Sequence, residues 1–237
     1  MTTSNHWGFR PGLKVILLLA ASFGMAGVSS PAYTMERVWA KHFALAPGGS
    51  VSVENVQGSV LVEGWDRAEV EATVAMRSQG PSDHIDDVDV AVEAGNGSLA
   101  FHTLYPAGLD ENIRVDYRLR VPRQVRLEQL STLEGDIAVR DVEGAVRARS
   151  LHGDIEGVNL AGSVVARALT GNILVTLRKL PDPQFPLRLE TLNGNVDLLL
   201  PARANADLEL TTVAGKSCRF ETIQTIYDAS RWEELFN

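Results

Sequence analysis

Asp136 and Asp154 hold the same place in two copies of a short phrase, Gly135-Asp136-Ile137 and Gly153-Asp154-Ile155, 18 residues apart. If the copies stack as neighbouring strands, the two carboxylates lie one strand spacing apart, ~4.8 Å. A pair that close splits its pKa values, and could do acid/base work on a glycan or hold calcium. The same column continues, however, with Asn172 and Asn195, which cannot titrate, so turn formation is the plainer account of all four. A second set of charges is cationic. Arg147 and Arg149 alternate on one predicted strand, Arg167 falls in the column of Arg149 in the next copy, and Arg188 falls in the column of Arg147 one copy later. Their planar guanidinium groups suit bidentate contacts to an anionic envelope polymer or an acidic protein face. Like charges stacked at strand spacing repel, and Glu190 and Asp141 are the acids expected to offset that cost.

Other chemistry-bearing residues make weaker patterns. Asp83-His84-Ile85-Asp86-Asp87-Val88-Asp89 is acidic enough for a cation, but it lacks the spacing and glycine of an EF-hand loop and reads as a solvated loop. His42, His84, His102 and His152 form no metal-binding spacing. No serine sits in a Gly-x-Ser-x-Gly context. Trp65, in Gly64-Trp65-Asp66, has the shape to stack on a sugar, but an indole packed over a corner is the plainer reading. Cys218 is the sole cysteine, which excludes an intramolecular disulfide and a zinc constellation and suits a small buried hydrophobe. No cofactor and no metal is expected.

The elements that must position these groups come from a repeat. The phrase of a small residue, an aliphatic, any residue, glycine, Asp or Asn, and a β-branched residue recurs as Thr132–Ile137, Ser150–Ile155, Ala168–Ile173 and Thr191–Val196, with a decayed copy at Thr212–Ser217 and a forerunner at Asn55–Val60. Successive glycines, Gly135, Gly153, Gly171, Gly194 and Gly215, stand 18, 18, 23 and 21 residues apart, a solenoid period. Glycine followed by Asp or Asn supplies a positive-φ turn with a local side-chain hydrogen bond, so each phrase marks a corner. Before each corner apolar residues alternate with polar ones: Val146 and Ala148 against Arg147 and Arg149, Val164 and Ala166 against Val165 and Arg167, Leu187 and Leu189 against Arg188 and Glu190. That period of two predicts parallel strands stacked like upon like. Glu128 breaks the alternation in the first copy and predicts a bulge.

The first half predicts strands over Arg37–Leu45, Ser50–Asn55, Ser59–Glu63, Glu69–Met76, Val88–Glu93, Ser98–Leu104 and Ile113–Val121, with Pro47-Gly48-Gly49 turning one pair and Asn96-Gly97 suiting a primed hairpin turn. At the start, Arg10 and Lys14 precede an apolar run of 12 residues, Val15 to Ala26, and the small residues Ser30-Pro31-Ala32. This is the pattern of a cleaved signal peptide, too short to span a bilayer. Those 32 residues hold two of the 22 basic residues and none of the 30 acidic ones, so the remainder carries 20 against 30, a net charge of −10. Such a balance argues against generic nucleic-acid binding. The organisation expected is a signal peptide over 1–32, a β-rich part over 33–127, repeat coils over 128–220 and a tail over 221–237. In that tail Tyr227 to Phe236 could form a short capping helix started by Ser230 and Glu233.

The order of Pro47-Gly48-Gly49, Val53-Glu54-Asn55-Val56-Gln57-Gly58-Ser59-Val60, Gly64-Trp65-Asp66, Val115-Asp116-Tyr117-Arg118-Leu119-Arg120-Val121-Pro122 and the serial Gly-Asp-Ile phrases resembles the bacterial putative-adhesin family of envelope β-solenoids, over roughly residues 40 to 217. The resemblance implies an all-β fold, a right-handed parallel β-helix with an antiparallel β-rich first half, and no catalytic residues. The function expected is that of an exported, non-catalytic solenoid whose surface binds an envelope polysaccharide or protein, in the periplasm or at the cell surface. Two alternatives accompany it: a carbohydrate-active enzyme using Asp136 and Asp154, and an envelope-stress or signalling component that binds another protein.

Overall fold

The computed structural model describes residues 35–78, 83–106, 113–180, 187–201 and 218–222. The expected signal peptide, the copy at Thr212–Ser217, the tail helix and the side chains of His84 and Cys218 lie outside what is described. In chain order the strands are β1 (Met35–Ala44), β2 (Ser50–Glu54), β3 (Val60–Trp65), β4 (Glu69–Ser78), β5 (Asp89–Gly95), β6 (Ser98–Leu104), β7 (Ile113–Pro122) and β8 (Arg126–Glu134). There follow β9 (Ile137–Arg140), β10 (Val146–His152), β11 (Ile155–Leu160), β12 (Val164–Thr170), β13 (Ile173–Leu177), β14 (Leu187–Asn193), β15 (Val196–Leu200) and β16 (Cys218–Thr222). Among the described residues the only helical element is a 3₁₀ turn at Asp83–Asp86.

The fold is all-β and consists of two mixed sheets. The first runs β1-β4-β7-β3-β9-β11-β13-β15-β16, the second β14-β12-β10-β8-β2-β6-β5. From β8 to β15 consecutive strands alternate between the two sheets, and each pairs in parallel with its counterpart one repeat away. Antiparallel pairing is confined to the first half, where β4 lies between β1 and β7 and where β5 returns on β6.

Alternation decides which side chains go inside. On the second sheet Val146, Ala148 and Ser150 of β10 are buried between exposed Arg147 and Arg149, and Val164, Ala166 and Ala168 of β12 repeat the pattern. On the first sheet Val60 and Val62, Ile137 and Val139, and Ile173 and Val175 turn inward. Each buried Val, Leu or Ile contributes roughly 1.5–3 kcal/mol, so columns of them outweigh the turn strain considered below. Glu128 is the extra residue of β8. Val51 and Ser52 of β2 pair with Leu127 and Gln129, while Val146 and Ala148 of β10 pair with Leu127 and Leu130. The bulge keeps Leu127 and Leu130 both buried.

The first half is tied to the stack by aromatic and polar contacts. Trp39, Phe43, Phe101 and Tyr117 form a chain with centroid distances of 6.3, 5.7 and 6.4 Å, joining β1, β6 and β7 across the two sheets. Thr103 Oγ1 donates to Asn55 Oδ1 at 2.9 Å and lies 2.6 Å from the Tyr117 hydroxyl, while Asn55 Nδ2 donates to Val115 O at 2.8 Å. Two turns follow their residues. Ala46-Pro47-Gly48-Gly49 closes with Gly49 N–H to Ala46 O at 3.0 Å and Gly48 at φ +83°, as a type II turn requires. In the β5–β6 hairpin only Gly97 takes positive φ, +78°, so Asn96-Gly97 is not the primed turn expected; a primed type I turn needs positive φ at both residues.

Candidate functional site

The corner phrase is explained by contacts between neighbouring copies of it. A Cβ on Gly153 would lie 2.1 Å from Gly135 O, one on Gly171 2.1 Å from Gly153 O, and one on Gly194 2.0 Å from Gly171 O. Gly135, Gly153 and Gly171 have φ of +147°, +150° and +147°; Gly194 does not share the positive φ and is held to glycine by proximity alone. The small residue ahead of the corner supplies a hydroxyl to the same carbonyls. Thr132 Oγ1 donates to Gly58 O at 3.1 Å, Ser150 Oγ to Gly135 O at 3.0 Å and Thr191 Oγ1 to Gly171 O at 2.8 Å. Ala168 has no hydroxyl to offer Gly153.

Asp136, Asp154, Asn172 and Asn195 form a ladder. Asp136 Oδ1 accepts the Asp154 N–H at 2.9 Å, Asp154 Oδ1 accepts the Asn172 N–H at 2.6 Å, and Asn172 Oδ1 accepts the Asn195 N–H at 3.0 Å. Asp136, Asp154 and Asn172 therefore each satisfy the turn amide of the next copy, a task that carboxylate and carboxamide oxygens perform alike. The forerunner joins the same scheme through a residue far away in sequence: Asp116 Oδ1 accepts the Ser59 N–H at 2.8 Å.

The arginines stand on the outer face of the second sheet. Arg149 pairs directly with Ser131 on one side and Arg167 on the other, Arg167 pairs with Glu190, and Val165 separates Arg147 from Arg188 in the neighbouring column. Two exposed like charges ~5 Å apart repel by roughly 1 kcal/mol in water. Glu190 offsets this at one end of the column, lying 2.8 Å from Arg167 Nε and accepting a hydrogen bond from Arg188 Nε. That bond and the Arg188 and Arg167 charges hold the Glu190 carboxyl below its usual range. Asp141, the other acid expected to pair here, is instead at a positive-φ corner, taking a hydrogen bond from Asn159 and lying 3.7 Å from Arg123. Glu128, the acid of the bulge, lies 3.9 Å from Arg126. Arg147 and Arg149 thus have no ion-pair partner among the described residues, whereas Arg123, Arg140 and Arg178 are paired at 2.8, 3.0 and 2.7 Å.

The remaining candidates are structural. Trp65 Nε1 donates to Glu69 O at 2.9 Å, and the Arg67 and Arg120 guanidinium groups lie 4.8 and 6.0 Å from its ring centroid, so the indole is occupied at its corner. In the acidic segment Ile85 and Val88 are buried, Asp86 lies 3.4 Å from Arg37, and Asp89 accepts the Val90 N–H. His102 lies 3.0 Å from Glu54 and His42 3.9 Å from Glu69. Among the described residues no group of three or more His, Cys, Asp or Glu is placed to hold a metal, and no helix is long and apolar enough to cross a membrane.

Two features escape a reading by motif. A second glycine column marks another corner, where a Cβ on Gly162 would lie 2.1 Å from Gly144 O and one on Gly144 1.9 Å from Val125 O; Gly64, in a different column, is held to glycine by Asp141 O at 2.0 Å from its Cβ position. The other is the aliphatic of the repeated phrase, which faces outward. Leu133, Leu169 and Leu192 are 50%, 38% and 42% exposed, and Leu151 lies between Leu133 and Leu169 in register. The phrase itself carried this signal, since its aliphatic shares the parity of the arginines.

No protein-family model matches the chain, and no curated protein does. Among solved structures it is similar to a "putative cell adhesion protein" from Clostridium sporogenes ATCC 15579, with 11% identity over 78% of this chain and 93% of that one and a TM-score of 0.41. It is also similar to a "putative adhesin" from Bacteroides fragilis NCTC 9343, with 8% identity over 79% and 97% and a TM-score of 0.33. A "putative lipid binding protein" from Parabacteroides distasonis ATCC 8503 shows 9% identity over 69% and 79% and a TM-score of 0.23. All three likenesses are distant and assign nothing to this chain.

Proposed function

We propose that the chain is an exported, non-catalytic β-solenoid, wound as a right-handed parallel β-helix behind an antiparallel β-rich first half, that binds an anionic component of the cell envelope through the outer face of its second sheet. The organisation proposed with it is a cleaved leader over 1–32, repeat coils over 128–220 and a terminal cover over 221–237. The observation that carries the binding role is the cation column: Arg149 stacks on Arg167, and Arg147 and Arg149 have no acid partner among the described residues. On a chain with ten more acidic than basic residues after residue 32, a concentrated cationic face is a local exception that favours an anionic partner. Against the acid/base alternative, Asp136 and Asp154 spend an oxygen each on the next turn amide.

The test is binding to a soluble polyanion such as dextran sulfate, and to envelope fractions, at low and physiological salt. Binding is expected to weaken as salt rises, because exposed charges are screened within about 8 Å at 0.15 M. Arg149→Gln with Arg167→Gln should abolish it with little change in melting temperature, since both side chains are exposed and an exposed ion pair such as Arg167–Glu190 contributes ~0–1 kcal/mol. Glu190→Gln, which frees Arg167 and Arg188, should strengthen it. Binding indifferent to salt and to these substitutions would overturn the assignment of the face.

A further inference from the structure

The arginine columns are bordered by a column of leucines. Leu133, Leu151, Leu169 and Leu192 lie two residues after Ser131, Arg149, Arg167 and Glu190 on the same strands, and the period of two sets them on the same outer face. Adjacent coils are ~4.8 Å apart, so the leucines form one continuous ridge and not four isolated side chains. Leu133, Leu169 and Leu192 expose 50%, 38% and 42% of their surface. Single exposed aliphatics are ordinary; a row of them in register, flanked by cations, marks an interaction surface.

We infer that this face docks on a membrane surface rich in anionic lipid, the leucine ridge entering the headgroup boundary while Arg147 and Arg149 meet the lipid phosphates. The inference rests on the binding role proposed above and names its partner. Charge chooses the sign: Arg147 and Arg149 lack acid partners among the described residues, and Glu190 and Glu128 are engaged by Arg167, Arg188 and Arg126. The ridge chooses an amphiphile over a hydrated polymer, because a polysaccharide offers the leucines no apolar phase. A second copy of this chain is disfavoured, since a two-fold contact through this face would set arginine columns against each other. Surfaces that lie on membranes share this division, with aliphatics entering ~5–10 Å and long cationic side chains reaching the headgroups.

The experiment is co-sedimentation of the purified chain with phosphatidylcholine vesicles that contain or lack phosphatidylglycerol, beside dextran sulfate as a soluble polyanion. Wild type should bind the phosphatidylglycerol vesicles and bind pure phosphatidylcholine much more weakly. Each arginine near an anionic surface is worth about fivefold in affinity, so Arg147→Gln with Arg149→Gln should weaken vesicle binding by at least tenfold. Leu151→Ser with Leu169→Ser should weaken it by roughly tenfold, yet leave dextran sulfate binding unchanged. Should that leucine pair lower thermal stability, Leu133→Ser with Leu192→Ser reads the same ridge at more exposed positions. Vesicle binding that falls with the arginine pair but stays within twofold for both leucine pairs overturns the membrane inference and favours an acidic polymer or protein. Dextran sulfate binding without vesicle binding also overturns it while the proposed function stands. Binding to neither overturns both.

Discussion

Replacing Gly153 by alanine adds one methyl group to the corner between β10 and β11, and the geometry sets what it must cost. At φ +150° an L-residue is strained by roughly 1–2 kcal/mol. Its Cβ would sit 2.1 Å from Gly135 O and 2.5 Å from Gly135 C, both backbone atoms of the preceding coil, so relief requires the coils to separate. Overpacking of that kind costs typically ~1–3 kcal/mol. Together the two effects give roughly 2–5 kcal/mol, a large share of the ~5–15 kcal/mol that holds a domain folded. For a domain of this size, about 2–4 °C of melting temperature is lost per kcal/mol, which places the expected shift at roughly 5–15 °C. Gly153→Val should lose more. Gly48→Ala supplies the control: Gly48 also has positive φ, +83°, but nothing lies within 4 Å of its Cβ position. Its cost should be the conformational one alone, ~1 kcal/mol. Urea unfolding of the three variants measures both costs. If Gly153→Ala matches Gly48→Ala, or leaves the midpoint unmoved, contact between stacked corners is not what demands glycine.

Ala168→Ser should restore the missing hydroxyl donor to Gly153 O and raise stability by about 0.5–1.5 kcal/mol, seen as a higher urea midpoint at unchanged slope; a lower midpoint would refute the hydroxyl column. Asp154→Asn should leave stability and binding near wild type, because the carboxamide oxygen can still accept the Asn172 N–H, whereas a glycan-cleaving activity abolished by that change would establish the acid/base alternative. Burial pushes the Tyr105 hydroxyl from 10.0 up to about 12, with the Asp116 charge adding to the rise, and burial raises Tyr117 further. Since the folded values exceed the unfolded one, the contribution of the neutral phenols is complete below pH 10 and is lost as pH climbs through 12. A melting temperature flat to about pH 10 and then falling is expected. Tyr117→Phe should make that alkaline fall shallower; an equally steep fall in the variant would remove Tyr117 from the account.

Much of the strand pairing was legible because a strand's period is two and each strand from β8 to β15 pairs in parallel with a copy of itself. Parity in Val146–Arg149 fixed which side chains turn inward, and the break at Glu128 located the bulge. The columns Arg149–Arg167 and Arg147–Arg188 followed from the spacing of the phrases. Other features depend on choices that no local pattern encodes. Asp116 serves Ser59 across 57 residues, and Gly144 and Gly162 share a corner without sharing neighbours in sequence. Which acid neutralises which arginine depends on how long side chains reach: Glu190 takes Arg167 and Arg188, and Asp141, at a positive-φ corner, faces Arg123. The Asn96 backbone departs from its dipeptide preference because one positive φ, at Gly97, suffices to bring Ser98 back against Gly95.

The corner phrase binds each coil in both directions, and this determines how the stack should fail. Ser150 Oγ reaches back to Gly135 O, while the Asp136 carboxylate and the Gly135 N–H reach forward to Asp154 N–H and His152 O. Each residue of the phrase therefore belongs to an interface between coils more than to its own coil. If the chain is the solenoid proposed, its stability is approximately a sum of nearest-neighbour terms, and the weakest interface opens first. The interface between the coils of Gly153 and Gly171 keeps the amide ladder, through Asp154 Oδ1 to Asn172 N–H, and the Gly153 N–H to Thr170 O bond at 3.0 Å. It alone among the four described repeats lacks the hydroxyl, because Ala168 stands where Thr132, Ser150 and Thr191 donate. It is also where Arg149 faces Arg167 across the strands. An anion bound there would neutralise that repulsion and bridge the two coils. On the proposed role, ligand binding and the closing of the weakest interface are one event, and a bound polyanion should slow amide exchange at Gly153 and Asn172 before it does so anywhere else among the stacked strands.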